Sequence, residues 1–230
     1  MGASACRQFA EAGATVVVSY NSDAAGAAAL VASLPGSGHI ASRVAMEETA
    51  SIQALADQLA ASFGRVDILV NSAGYTKTVA ANDLDALSDD IIDAMFQVNW
   101  RGPFAAIRVF RKLLEASNDG LVVNVSSIAG ITGQGSNIAY AAAKAGTDAM
   151  TKALARVLAP KVRVMGVSPG VVATDFVPGR DAAALEKLSG AIPLKRVATA
   201  EDCADAIVAC ATHLTYSTGS TILVDGGRVL

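Results

Sequence analysis

Five short runs of aliphatic and β-branched residues, each bounded by turn residues, recur along the chain at 15-19, 66-70, 121-125, 162-167 and 221-224. Runs of this length and composition read as buried strands. Between them lie Ala-rich stretches of helical length at 22-34, 48-63, 88-116, 137-159 and 199-213, with a shorter one from Ser4 to Ala12. Strands that alternate with helices predict an α/β fold: a doubly wound parallel sheet with helices on both faces. The run at 39-44 is weaker, because His39, Ser42 and Arg43 interrupt it, and belongs at a sheet edge. Val177 to Asp181, with Pro178 and Gly179, breaks the pattern late in the chain and reads as a candidate lid.

Composition narrows the function. A chain of 230 residues, 52% hydrophobic and 17% charged, can bury one large core, so residues 1-230 are expected to form a single domain. A formal charge of -3 offers no broad basic surface for phosphates, which argues against nucleic acid and for a small-molecule ligand. Cys6, Cys203 and Cys210 have no close ligand-type spacing and read as reduced, buried thiols. His39 and His213 lack nearby partners, so no metal site is expected. No run approaches the roughly 18 apolar residues of a membrane span. The first residues lack the pattern of a secretory signal, so a cytoplasmic protein is expected.

In doubly wound sheets ligands bind at the carboxyl ends of the strands. After the 66-70 strand come Asn71, Ser72, Ala73 and Gly74, small residues that let backbone approach a ligand, although a plain turn explains them as well. After the 121-125 strand come Ser126 and Ser127, a Gly-rich loop, and then Tyr140 and Lys144. Positions i and i+4 share a helical face. A cation near a phenol favours its ionised form, pulling a pKa of about 10 towards neutrality and making a usable acid/base. An exposed Tyr and Lys on an ordinary helix is the bland alternative. Against it stands the coincidence of a serine pair, Asn71 to Gly74 and Pro169-Gly170, each at a strand end.

Asn71 to Gly74, Asn99, Ser127, Tyr140, Lys144, Pro169 to Thr174 and Val224 to Gly227 together resemble the short-chain dehydrogenase/reductase family over nearly the whole chain. Within it the chain is most similar to 3-oxoacyl-(acyl-carrier-protein) reductases. The resemblance implies a catalytic tetrad of Asn99, Ser127, Tyr140 and Lys144. Ser127 is preferred over Ser126 for its spacing of thirteen to Tyr140 and because alternation sends neighbours to opposite faces. It also implies a nicotinamide dinucleotide seated by Gly2, Tyr20, Asn21, Ser22, Asn71, Ala73, Gly74, Tyr140, Lys144, Pro169, Gly170, Val172 and Thr174. A simpler account of Asn99 is a side chain that bonds nearby backbone, and a simpler account of Thr174 is a cap for a following helix, a role that could coexist with cofactor contact. At the end of the 15-19 strand no carboxylate stands among Ser19, Tyr20, Asn21 and Ser22, which favours NADP over NAD. Assembly as a homotetramer or homodimer through the two long helices is implied as well.

Family members open with a strand and a turn of the form Thr-Gly-x-x-x-Gly-x-Gly, of which Met1-Gly2 match only the last two positions. The middle strand of the sheet is therefore expected to be absent, with Met1 an internal methionine or upstream residues omitted. Five or so buried apolar residues at ~1.5-3 kcal/mol each are comparable to the ~5-15 kcal/mol stability of a domain, so weak folding or weak cofactor binding is expected. The rival to an enzyme is a regulatory protein that kept the fold and lost the dinucleotide site; another is a subunit whose main role is assembly. No functional meaning attaches at this level to Met165-Gly166, where the family commonly has Asn.

Overall fold

A computed structural model describes residues 1–177 and 181–230. The elements run α1 (Gly2–Glu11), β1 (Val17–Tyr20), α2 (Ala24–Ser33), β2 (Ile40–Arg43), α3 (Thr49–Phe63), β3 (Ile68–Asn71) and α4 (Asp89–Phe96). A π-helical turn (Gln97–Arg101) leads into α5 (Gly102–Glu115), β4 (Gly120–Val125), α6 (Ala129–Thr132), α7 (Ile138–Leu158) and β5 (Val162–Pro169). Then come α8 (Ala182–Gly190), α9 (Ala200–Thr212) and β6 (Thr221–Val224).

All strand pairs are parallel. β3, β4, β5 and β6 form one sheet in that order, and β1 pairs with β2 in another. Because side chains alternate across a strand, β4 and β5 serve two cores at once. Val122 and Val164 pack with Ile107, Leu114 and Leu158 of α5 and α7, while Leu121, Val123, Met165 and Val167 pack with Ala5 of α1 and Ile207 of α9. The doubly wound α/β architecture and the edge position of β2 follow the sequence pattern.

The single helix expected over 88-116 is instead two helices joined by the π turn. Pro103 has no N–H to give the carbonyl of Asn99 four residues earlier. That carbonyl accepts from the Thr147 hydroxyl at 3.2 Å. Helices α6 and α8 were not foreseen; α8 is capped by Asp181, whose carboxylate accepts from the Ala184 N–H at 2.8 Å. Of the expected lid at 177-181, Pro178, Gly179 and Arg180 lie outside the described residues.

The two sheets do not join. β1 and β3 share no ladder, and a cavity of about 1330 Å³ is bounded by both strands. Val16 and Val18 line one side and Ile68 and Val70 the other, with Ile52 and Phe9 from the flanking helices. The amino end of α1 reaches the top of β3, where a Cβ on Gly2 would lie 3.4 Å from Ser72 Oγ. Cys203 and Cys210 are buried as expected, whereas Cys6 is half-buried; all three are free thiols. His39 serves packing: its Nδ1 accepts from the Val16 N–H at 3.0 Å. No described helix is long and apolar enough to cross a membrane.

Candidate active site

Helix α7 starts where Asn137 lets it. The Asn137 side-chain Oδ1 accepts from the Tyr140 N–H at 2.6 Å, satisfying a donor that the first helical turn would leave free. Its amide donates to the Lys77 carbonyl at 2.7 Å, tying the helix start to the loop after β3. The same loop is held by the hydroxyls of Thr76 and Ser136, which bond one another. Tyr140 is thereby fixed at the carboxyl ends of the strands.

Tyr140 and Lys144 are only 9% and 4% exposed, which disposes of the exposed-helix alternative. Lys144 Nζ lies 5.7 Å from the centroid of the Tyr140 ring and donates to the Val125 carbonyl at 2.8 Å. Burial pulls the Lys144 ammonium from 10.5 down to about 8, and the carboxylate of Asp148 opposes that fall. A buried cation beside a phenol is thus held by one carbonyl at the end of β4.

The two serines part company after β4. Ser126 is buried, with its hydroxyl 3.1 Å from the Lys144 carbonyl, so it ties strand to helix. Ser127 remains partly open, and its hydroxyl accepts from the Ala129 N–H at 3.2 Å. Asn99 is 1% exposed on the π turn; its amide donates to the carbonyls of Tyr75 at 2.8 Å and Met95 at 2.9 Å, while its oxygen accepts from the Tyr75 N–H. It does bond backbone, as the simpler account held, but the backbone it bonds is the loop beside Gly74. A Cβ at Gly74 would meet Asn99 Oδ1 at 3.2 Å and the Phe176 ring at 3.4 Å, so a side chain there would crowd both.

Of the residues expected to hold a dinucleotide, Gly2, Tyr20, Asn71 and Ala73 line the cavity between β1 and β3. The Asn71 side chain is committed elsewhere: its amide donates to Asn124, whose own amide donates to Thr151. Asn21 and Ser22 form a bend after β1, and Asp23, which the sequence reading passed over, lines the cavity while capping α2 through the Gly26 N–H at 2.8 Å. Pro169 and Gly170 close the end of β5; the Gly170 N–H donates to Val224 at 2.9 Å, and a Cβ there would lie 2.9 Å from Asp225 Cα. Val172 pairs with Ala198. No helix begins at Thr174, so the alternative account of it as a cap is not realised; its N–H donates to the Val172 carbonyl. The Phe176 ring stands 6.1 Å from that of Tyr140. No group of His, Cys, Asp and Glu suited to a metal occurs among the described residues.

These residues suit a nicotinamide dinucleotide on structural grounds. The amino end of α1, whose first-turn N–H groups suit an anion, opens on the cavity that Tyr20 and Ala73 also line. The acid/base pair stands at the carboxyl ends of the same strands.

Residues 1–228 match the family model described as "Enoyl-(Acyl carrier protein) reductase". The chain is 34% identical over its full length, and over 92% of the relative, to the "Granaticin polyketide synthase putative ketoacyl reductase 2" of Streptomyces violaceoruber. It is 33% identical to the 3-oxoacyl-[acyl-carrier-protein] reductase of Synechocystis, covering all of this chain and 93% of that one. A crystal structure of a "putative short-chain dehydrogenase/reductase" from Burkholderia xenovorans superposes with a TM-score of 0.92 at 32% identity, over 99% of this chain and 93% of that one. The chain belongs to the short-chain dehydrogenase/reductase family of oxidoreductases and, within it, is most like the 3-oxoacyl reductases.

Proposed function

We propose that this oxidoreductase reduces a ketone, or oxidises the matching secondary alcohol, with NADP(H), and that 3-oxoacyl thioesters are its substrate class. The observation that carries the reading is the buried Lys144 ammonium 5.7 Å from the Tyr140 ring at the strand ends. In reduction the bound nicotinamide supplies the hydride. Tyr140 gives its phenolic proton to the carbonyl oxygen as charge develops there. The Ser127 hydroxyl donates to the same oxygen, a preorganised donor aimed at developing charge. Lys144 holds Tyr140 in its reactive state and bonds the ribose, and Asn99 supports a water that returns protons to Lys144. Gly2 and the start of α1 take the pyrophosphate, and the loops at Asn71 to Gly74 and Pro169 to Thr174 flank the nicotinamide half. NADP is favoured because Ser19, Tyr20, Asn21 and Ser22 carry no charge and the nearby Asp23 carboxylate is engaged in the α2 cap. A homotetramer or homodimer in the cytoplasm is part of the same reading.

The test is a panel of ketones and 3-oxoacyl thioesters offered with NADPH and with NADH. Turnover with NADPH, strongest on 3-oxoacyl thioesters, is expected. Turnover with NADH alone would overturn the cofactor assignment, and absence of binding at millimolar NADPH would leave the fold without the proposed chemistry.

A further inference from the structure

Behind Lys144, on the side away from Tyr140, lies a polar cluster that the reaction as described does not use. Asp148 is one helical turn beyond Lys144 on α7, the spacing that brings side chains to about 5-6 Å at Cβ. Its Oδ1 accepts from the Thr221 hydroxyl of β6 at 3.1 Å. The Ser126 hydroxyl donates to the Lys144 carbonyl at 3.1 Å and so ties the end of β4 to the same stretch of α7. The carboxylate is thus anchored to β6, one helical turn from an ammonium held at the end of β4.

Gly166 makes room for this. A Cβ at that position would lie 2.4 Å from Thr221 Oγ1, so any side chain there would displace the hydroxyl that reaches Asp148. The Met165-Gly166 pair, unexplained by sequence, acquires a role: Met165 fills the core on one face and Gly166 frees the other.

We propose that Asp148, held by Thr221, is a positioning residue that keeps the Lys144 ammonium charged beside Tyr140. This rests on the reading of Tyr140 and Lys144 as the acid/base pair. The described charges around Lys144 leave the task to Asp148. On α7 the other ionisable neighbours are Tyr140 itself and Lys152, a cation beside Asp148. β4 contributes the Val125 carbonyl and the Ser126 hydroxyl, and the π turn the Asn99 amide. Beyond β6, Asp225 turns its carboxylate back onto the N–H groups of Gly227 and Val229. Burial pushes Lys144 down and Asp148 up, and each charge opposes the other's shift.

The sign follows. Lys144 loses its proton as pH rises through about 8. Without the opposing carboxylate the midpoint falls, so Asp148→Asn is expected to lower it by about 1 pH unit, the range for removal of a close opposite charge. The measurement is the ¹³Cε titration of Lys144 in the full chain without ligand, assigned by Lys144→Arg, together with the pH profile of kcat for ketone reduction. The alkaline limb of kcat should move down with the midpoint, and Asp148→Glu should restore both. An unchanged midpoint in a folded Asp148→Asn chain overturns the proposal. If that variant does not fold, the unmodified chain decides: Lys144 Cε must show a second inflection where the Asp148 carboxyl titrates, and its absence is equally fatal. A midpoint that responds to Asp148 in a chain that reduces no carbonyl would instead sink the enzymatic reading and leave the Asp148–Lys144 coupling standing.

Discussion

The half of the molecule built on β3 to β6 and the half built on β1 and β2 differ in how they are held. In the first, β4 and β5 are buried along nearly their whole length, both faces are covered by helices, and α7 brings Tyr140 and Lys144 to the strand ends. In the second, two four-residue strands pair only with each other and face β3 across a cavity of about 1330 Å³. The residues proposed for chemistry sit in the first half, and those proposed for the pyrophosphate and adenosine end, Gly2 and Tyr20 to Ser22, in the second. The contrast teaches that the side chains proposed for proton transfer are set by close packing between strands and helices, whereas those proposed for the far end of the dinucleotide stand beside the cavity.

The largest expected effect tests whether the two halves carry separable tasks. Tyr140→Phe removes one hydroxyl and keeps the ring that packs with Met95 and Ala129. Turnover should fall by about 10²–10⁴, the usual contribution of a general acid, with NADPH affinity by fluorescence titration within about twofold of the parent. Activity within a few-fold would discredit the acid/base assignment. Loss of affinity as large as loss of turnover would instead break the division between the halves.

What could be read from sequence follows the same division. Tyr140, Lys144, the strands and the edge position of β2 were legible because they are local: spacing of four on a helix, alternation along a strand, turn residues at strand ends. What escaped depends on contacts distant in sequence. The π turn arises from Pro103 together with a hydroxyl on α7, the Asn71 amide is drawn to Asn124 rather than to a ligand, and Asp148 meets Thr221 seventy-three positions on. Thr174 misled in the opposite way, since its local signal for a cap was real but residues 170 to 173 are held by Val224 and Ala198, and the next helix waits for Asp181. Asn137, Asp23 and Asp181 carried a readable signal that went unused: an Asn or Asp directly before an apolar helix is an N-cap.

The second effect compares like with like. Val122 of β4 is fully buried, and Val18 of β1 is 6% exposed but borders the cavity. Val122→Ala should cost about 2-3 kcal/mol, since deletion from a close-packed site adds a void to the lost transfer energy. Val18→Ala should cost about 1 kcal/mol, because its surroundings are already loosely filled and little new void is made. Urea midpoints at constant m-value measure both. Equal costs would mean that β1 is packed as firmly as β4 and would remove the contrast.

The smallest effect sharpens the picture inside the well-packed half. Asn137→Ala deletes the acceptor for the Tyr140 N–H and the donor to Lys77, but no apolar burial. Loss of an N-cap costs about 1 kcal/mol, so the whole domain should be only slightly less stable. The local consequence should be larger than the global one, because the same residue fixes both the first turn of α7 and the loop after β3. Hydrogen exchange should therefore quicken at residues 138 to 141 and 75 to 79 while the amides of β4 and β5 keep their protection. With the phenol set less firmly, kcat should fall several-fold and cofactor affinity should stay put. If exchange instead quickened evenly across the sheet, Asn137 would be a stabilising cap and nothing more, and the placement of Tyr140 would have to come from the packing of Met95 and Ala129 against its ring.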